Sequence, residues 1–179
     1  MSQIATNYAQ ALYDLAKEEN LTETVLQQLT ALQQAFTEEP EFLRLMTAAN
    51  LSKEERCQIL DDSFRGKAEP YVLNFMKILT EKGYMRHFSD CAKAYRDAYN
   101  ADHGILPVKA VTAVALTDDQ RMRLTQKLEK LTGKTIDLSC RVDPVVMGGV
   151  RLDYDGKRVD GTVQTRLDTV SKLLKNTVL

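Results

Sequence analysis

The sequence of 179 residues contains no tryptophan, two histidines and three cysteines, and it has no long apolar run. Aromatic residues make up 7% of the chain, so no platform for stacking single-stranded nucleic acid stands out. The formal net charge of −1 lacks the basic surplus that nucleic-acid-binding proteins usually carry. No apolar run approaches the roughly 20 residues that span a bilayer, and the first residues do not resemble a secretion signal. We therefore expect a cytosolic protein that neither binds nucleic acid nor inserts into a membrane.

The cysteines and histidines give no sign of metal or redox chemistry. Cys57, Cys91 and Cys140 are far apart and have no CxxC spacing. We expect reduced thiols, and Cys140 lies in an alternating run that predicts a buried position. His87 and His103 are isolated in the sequence, which favours surface positions for both. With no nucleophile elbow and no facing carboxylate pair either, the sequence predicts no enzyme, no cofactor and no metal site.

Residues 1–104 are predicted to form a bundle of six helices, because apolar residues recur there at helical spacing. The first helix, for example, places Ile4, Tyr8, Leu12 and Leu15 along one side. Residues that favour helix ends mark the predicted boundaries. They are the capping-box spacings Asn20–Glu23 and Ser52–Glu55, the prolines at positions 40 and 70, and the glycines at positions 66 and 83.

The predicted fifth helix, between Pro70 and Gly83, is apolar nearly all round. A surface helix of a small bundle needs only one apolar stripe. Each apolar residue taken alone is explained by the bundle core, but the first and fifth helices together offer more apolar faces than one bundle buries. A groove between them would suit an amphipathic partner helix, and small residues such as Ala9 and Ala11 would let its backbone approach closely.

Residues 105–179 change to an alternating pattern, which predicts a small α/β domain. We expect a strand over 105–116 with Pro107 confined to its start or to an edge. A helix capped by Thr117 and ended by Gly133 follows, then a strand over 135–142. The whole chain is thus predicted to be mainly α with a smaller α+β part, divided into domains 1–104 and 105–179.

Several glycines in the last part of the chain predict turns and close backbone contacts. Gly148 and Gly149 interrupt an apolar run, which indicates a bulge or a close backbone approach. Gly156 follows an aspartate between two short alternating runs and predicts a tight hairpin. Asp160 and Gly161 precede an apolar stripe at helical spacing, predicted to form a final helix. We interpret these residues as determinants of the fold rather than as contact residues.

The same segment resembles a known family. The runs GGVRL, DG and VDGTV, with RL after them, resemble the C-terminal motif of the delta subunit of F-type ATP synthases, which includes the mitochondrial oligomycin-sensitivity-conferring protein. The run NYAQALY at positions 7–13 resembles the opening helix of that family. The length and the order of segments also agree, so the resemblance covers essentially the whole chain.

The resemblance implies a non-catalytic stator subunit of bacterial type. Its six-helix domain would bind the N-terminal helix of an alpha subunit, and also contact beta subunits, at the top of the catalytic head. Its second domain would meet the C-terminal ends of the peripheral-stalk b subunits. The complex would lie peripherally on the cytoplasmic side of the cell membrane and resist rotor torque during proton-driven ATP synthesis. The residues that match the family's alpha-binding positions are Tyr8, Ala11, Leu12 and Leu15 on the first helix and Phe75, Ile78 and Leu79 on the fifth.

An alternative is a helical adaptor or scaffold protein of another cytoplasmic assembly. The neutral charge balance counts against an RNA scaffold. An enzyme is a more distant third class, because no catalytic constellation supports it.

Overall fold

The structure is a computed structural model, and it describes residues 3–48, 51–146 and 148–162. The chain divides into two compact units, Met1–Tyr99 and Asn100–Leu179. The described residues form a mainly helical first part and a small mixed α/β second part, so the predicted fold class is confirmed. The division between the units falls within the last helix of the first part, a few residues before the predicted boundary.

The first unit is built from helices separated by short turns. Their bounds are α1 Gln3–Glu18, α2 Thr22–Glu38, α3 Pro40–Thr47, α4 Lys53–Phe64, α5 Pro70–Glu81 and α6 Phe88–Asp102, with a 3₁₀ turn at Met85–His87 before α6. Both prolines lie in the first turn of their helix, as predicted. At α4, Glu55 N donates to Ser52 Oγ at 3.1 Å and Ser52 N donates to Glu55 Oε2 at 2.8 Å. The predicted capping box is therefore present.

The predicted cap at Asn20 is wrong. In the structure α2 begins at Thr22, and the preceding residue, Leu21, provides no side-chain cap. Asn20 has a φ of 58° and belongs to the end of α1 instead. Its N–H donates to Lys17 O, and Leu21 N–H donates to Ala16 O at 2.8 Å, which is the hydrogen-bond pattern of a Schellman turn. Asparagine tolerates the left-handed conformation that this turn needs.

The core of the first unit contains both large aromatic and small side chains. Tyr13 and Tyr95 meet edge to face with ring centroids 5.3 Å apart. Ala5, Ala9 and Ala16 of α1 are at most 1% exposed. Because these side chains are small, the backbone of α1 lies close to its neighbours in the bundle.

The second unit is a four-stranded sheet with one described helix. Its elements are β1 Ile105–Thr112, α7 Asp118–Thr132, β2 Thr135–Val142, β3 Val150–Tyr154 and β4 Lys157–Asp160. The strand order is β2-β1-β3-β4, with β1 parallel to β2 and antiparallel to β3. Leu128 of α7 packs on Leu106, Val108 and Ile136, so this helix covers one face of the sheet. Thr117 forms the predicted capping box at the start of α7, and Gly133 ends the helix in a left-handed conformation.

Two expectations for the sheet are wrong. The first strand ends at Thr112 rather than at residue 116, because its pairing with β2 and with β3 ends at that residue. Thr112 Oγ1 then donates to Val114 O at 2.7 Å and turns the chain away. Cys140 is exposed rather than buried. It lies on an edge strand whose residues beyond Leu138 are all exposed.

Pro107 is the third residue of β1, and the pairing with β3 begins one residue later, at Val108. A position near the start of the strand, before the pairing with β3 begins, agrees with the expectation that this proline lies at the start of the strand or at an edge. The predicted final helix, beyond Thr162, lies outside the described residues.

Candidate functional site

An apolar stripe remains accessible along one side of α1. Ile4 is 37% exposed and Leu15 is 38% exposed. Between them, Tyr8 is half-buried and Ala11 is exposed. Positions 4, 8, 11 and 15 follow one another at steps of three or four residues, so they lie within about 60° on the helix surface. A continuous apolar stripe of this length differs from the single apolar residues that are normal on a surface.

The stripe lies beside the face that α1 buries. The fully buried residues of this helix are Ala5, Ala9, Leu12, Tyr13 and Ala16. These five residues hold the helix in the bundle. Of the stripe, Tyr8 packs in part against the core, whereas Ile4, Ala11 and Leu15 stay exposed. Apolar residues beyond the needs of the core are typical of a surface that binds another protein.

A second strip of accessible residues lies along one side of α5. Asn74 is exposed, and Tyr71 and Ile78 are half-buried on the same side of the helix. Asn74 follows Tyr71 by one turn, and Ile78 follows it by two. Phe75 and Leu79 are 5% and 0% exposed, so they belong to the bundle core.

Contacts at both ends bring α1 and α5 side by side and antiparallel. The Tyr71 hydroxyl at the start of α5 donates a hydrogen bond to the carboxylate of Glu19, just after α1. The charge of Glu19 is the main cause that raises the pKa of Tyr71. Near the other end, the rings of Tyr8 and Tyr84 meet edge to face at 6.1 Å. We call the accessible strip between these contacts the α1–α5 groove, formed by Ile4, Tyr8, Ala11 and Leu15 on α1 and by Tyr71, Asn74 and Ile78 on α5.

The structure places the seven residues predicted to bind a partner at two depths. Tyr8, Ala11, Leu15 and Ile78 lie along the α1–α5 groove with accessible surface. Leu12, Phe75 and Leu79 belong to the buried cluster beneath it. These three support the position of the two helices, whereas a partner could touch the other four directly.

Four residues of this region are not among the predicted partner-binding residues: Ile4, Tyr71 and Asn74 in the groove, and Tyr84 beside Tyr8. A signal was available for Tyr71, because it lies seven residues before Ile78 and therefore on the same side of the helix. Tyr84 follows the helix, beyond Gly83, and its contact with Tyr8 depends on the tertiary fold. Local sequence could not have indicated it.

The glycine motif joins the ends of the β3–β4 hairpin. Asp155 and Gly156 form its two-residue turn with φ values of 47° and 68°. Gly149 has a φ of 85°, and a Cβ atom there would lie 2.5 Å from Gly161 O. Gly161 N–H donates to Val150 O at 3.0 Å.

Two further members of the motif lie beside this contact. Gly148 also has a positive φ, 138°. Asp160 Oδ1 accepts a hydrogen bond from Thr162 N at 2.9 Å. Gly149, Gly161 and Asp160 thus meet backbone atoms of their own segment.

The described part of the chain offers little for chemistry. Across residues 3–48, 51–146 and 148–162, no group of three His, Cys, Asp or Glu side chains could hold a metal ion. His103 is exposed, and His87 is half-buried with Nδ1 3.7 Å from Asp90 Oδ2. Burial raises the pKa of Cys91 to about 11 and is also the main cause that raises the pKa of Cys57. Both thiols are therefore protonated near neutral pH and poorly nucleophilic. Among the described helices, none combines the length and apolar character that crossing a membrane requires.

Comparison with known proteins gives one consistent result. Residues 4–174 match the family model described as ATP synthase delta (OSCP) subunit. A relative named ATP synthase subunit delta, from Lacticaseibacillus casei, is 33% identical over 172 residues, covering 96% of this chain and 94% of that protein. A relative with the same name from Alkaliphilus oremlandii is 30% identical over 171 residues, covering 96% and 95%.

Among solved structures, a chain in the Toxoplasma gondii mitochondrial ATP synthase hexamer has the same fold. Its TM-score is 0.77 at 21% sequence identity, and the match covers 97% of this chain and 98% of that chain.

Proposed function

The chain belongs to the ATP synthase delta (OSCP) subunit family, and from this premise we propose that it is a non-catalytic stator subunit. In this role it links the catalytic head of an F-type ATP synthase to the peripheral stalk and resists rotor torque. The whole-length match to relatives named ATP synthase subunit delta favours this role over a scaffold of another assembly. The complex would lie on the cytoplasmic side of the cell membrane, with this chain attached peripherally.

The first unit is proposed to bind the N-terminal helix of an alpha subunit in the α1–α5 groove. The observation that carries this assignment is the accessible apolar stripe of α1, at positions 4, 8, 11 and 15. An amphipathic helix binds such a groove through apolar residues spaced one turn apart. Ala11 at the centre has a side chain small enough for the backbone of the partner to come close.

Each contact along the groove supplies a small part of the binding free energy that a permanent connector needs. Full burial of a leucine side chain contributes about 1.5–3 kcal/mol, so burying the 38% of Leu15 that remains exposed would contribute about 1 kcal/mol. Tyr8 would add an aromatic contact of similar size. A nanomolar dissociation constant corresponds to roughly −12 kcal/mol, so several such contacts along both proteins are needed.

The second unit is proposed to bind the C-terminal ends of the b subunits, which would leave one partner for each unit. A connector of this kind works by slow dissociation and needs no active site. Beta subunits would be further contacts at the top of the head.

The direct test is calorimetric titration of the full chain with a synthetic peptide of the alpha-subunit N-terminus from the same organism. Leu15→Ala and Tyr8→Ala are expected to weaken binding, and Ala11→Asp to weaken it most, because it places a charge in an apolar contact. Leu45→Ala is the matched control, since Leu45 on α3 is 41% exposed and lies outside the groove.

Equal affinity for wild type, Leu15→Ala and Ala11→Asp would refute the groove as the binding site. Binding of the intact head without binding of the peptide would move the site but keep the stator role. Binding of neither would refute the proposed function.

A further inference from the structure

One end of the α1–α5 groove is acidic. Glu18 lies one turn beyond Leu15 on the same side of α1, and Asp14 lies one turn beyond Ala11; both are exposed. Lys17, the basic residue in the last turn of α1, lies two residues from Leu15 and therefore points to another side of the helix.

Two more carboxylates belong to the same end. Glu19 accepts the hydrogen bond of Tyr71, and the charge of Glu69 acts on the same hydroxyl. Glu69 immediately precedes α5, so the acidic residues come from both helices that form the groove. Carboxylates on both sides of an apolar strip create a negative potential where a bound helix would end.

The opposite end is apolar and aromatic. Tyr8 meets Tyr84 there, and Ile4 continues the stripe. Glu81 is the carboxylate nearest to this end of α5, but it faces α4, where its charge raises the pKa of Cys57 and where it lines a cavity with Lys53. Among the described residues, the negative charge along the groove is therefore concentrated at the end near Leu15 and Tyr71.

We propose that this acidic end fixes the direction in which the partner helix lies in the α1–α5 groove. The partner is a helix with an apolar stripe and with basic side chains near one terminus. That terminus lies against Glu18, Glu19 and Glu69, while the apolar stripe lies along Tyr8, Ala11 and Leu15. This inference rests on the proposed function, because it takes the N-terminal helix of an alpha subunit as the occupant.

The charges set direction more than affinity. Apolar contacts along a groove change little when a helix is reversed, whereas a reversed helix would leave its basic residues away from the carboxylates. Complementary charges at an interface mainly supply specificity and faster association. Exposed charge pairs contribute little affinity, and salt weakens them further.

The test uses the full-length protein and the synthetic alpha N-terminal peptide. A nitroxide label is attached to the basic end of the peptide, and the broadening of amide NMR signals is read along the groove. We expect strong broadening at Glu19 and Tyr71 and weak broadening at Tyr8 and Tyr84. The reverse pattern, or equal broadening at both ends, would overturn the proposal.

A charge swap tests the same point independently. The double variant Glu18→Lys with Glu69→Lys is expected to weaken peptide binding about tenfold at low salt, because attraction becomes repulsion at two positions. A peptide whose basic residues are changed to glutamate should bind this variant better than it binds wild type. Asp62→Lys is the matched control, since Asp62 is an exposed carboxylate near the end of α4.

The two proposals fail in different ways. If wild type does not bind the unmodified peptide at all, the proposed occupant is wrong and both proposals fall. If wild type binds but the double variant binds equally well, only the directing role of the acidic end is refuted.

Discussion

Replacing Gly149 by alanine should destabilise the second unit through two separable effects. Gly149 has a φ of 85°, a conformation that costs an alanine about 1–2 kcal/mol. Its new Cβ would lie 2.5 Å from Gly161 O and 2.9 Å from the Cα of Thr162. Both neighbours are backbone atoms, so the contact can be relieved only by moving the segment. Overpacking of this kind costs about 1–3 kcal/mol, and the two effects together give about 2–5 kcal/mol.

Gly133→Ala is the matched control for this prediction. Gly133 also has a left-handed φ, 67°, but a Cβ atom there would meet nothing within 4 Å. Only the conformational cost of about 1–2 kcal/mol therefore applies. The difference between the two variants isolates the close approach of the backbone at Gly149.

The assay is urea unfolding followed by the amide NMR signals of each unit separately, because a two-unit chain need not unfold in one step. Val108 and Ile136 report on the second unit, and Leu29 reports on the first. Gly149→Ala should lower the urea midpoint of the second unit well below the midpoint measured for Gly133→Ala. The midpoint reported by Leu29 should stay unchanged. Equal midpoints for the two variants would refute the reasoning, because they would show that the added Cβ at position 149 carries no steric cost.

Two further predictions concern the first unit. Leu79→Ala should destabilise the bundle by about 2–5 kcal/mol in thermal unfolding, because Leu79 is fully buried; an effect as small as that of Leu45→Ala would contradict its place in the core. Lys77 Nζ lies 2.6 Å from Asp61 Oδ2, and this hydrogen bond holds the pKa of Asp61 below its ordinary value of 3.8. A carboxylate whose pKa is lowered by folding stabilises the protein at pH values above its ordinary pKa. This stability is lost as the pH falls through the folded-state pKa. Asp61→Asn should therefore lower the urea midpoint near about pH 6, and the difference from wild type should shrink as the pH falls below the ordinary pKa of 3.8. A difference that stays constant as the pH falls would contradict the ion pair.

The sequence predicted best those features that depend on a few neighbouring residues. Ser52 and Thr117 form the capping boxes that their spacing indicated, because both partners lie within one helical turn. The hairpin at Asp155 and Gly156 is equally local, since its turn needs two consecutive residues with positive φ.

The wrong predictions involve contacts with distant segments or a competing local motif. The end of β1 at Thr112 depends on where β2 and β3 stop pairing, which the residues of β1 do not encode. Cys140 alternates like a core residue, but nothing in its own strand shows how far α7 covers the sheet. Asn20 has the spacing of a cap for α2, but the same residue also suits the end of α1, and that role prevails.

The candidate site was predictable in part for the same reason. Helical spacing identifies the side of α1 that carries Tyr8, Ala11 and Leu15. It cannot tell which apolar residues the bundle buries, because that depends on the neighbouring helices, and Leu12 proves to be 5% exposed. The pairing of Tyr8 with Tyr84 likewise exists only after folding.

The packing of α1 has a consequence for the order in which the protein is made. Tyr13 packs on Tyr95, and Tyr8 packs on Tyr84, so α1 leaves the ribosome well before the segments that carry its aromatic partners. Such contacts between distant segments form late, because the intervening chain must close first. Until α6 has been synthesised, the apolar face of α1 has only part of its packing and is open to unwanted association. The α1 helix is thus fully enclosed only after the last helix of the first unit has been synthesised.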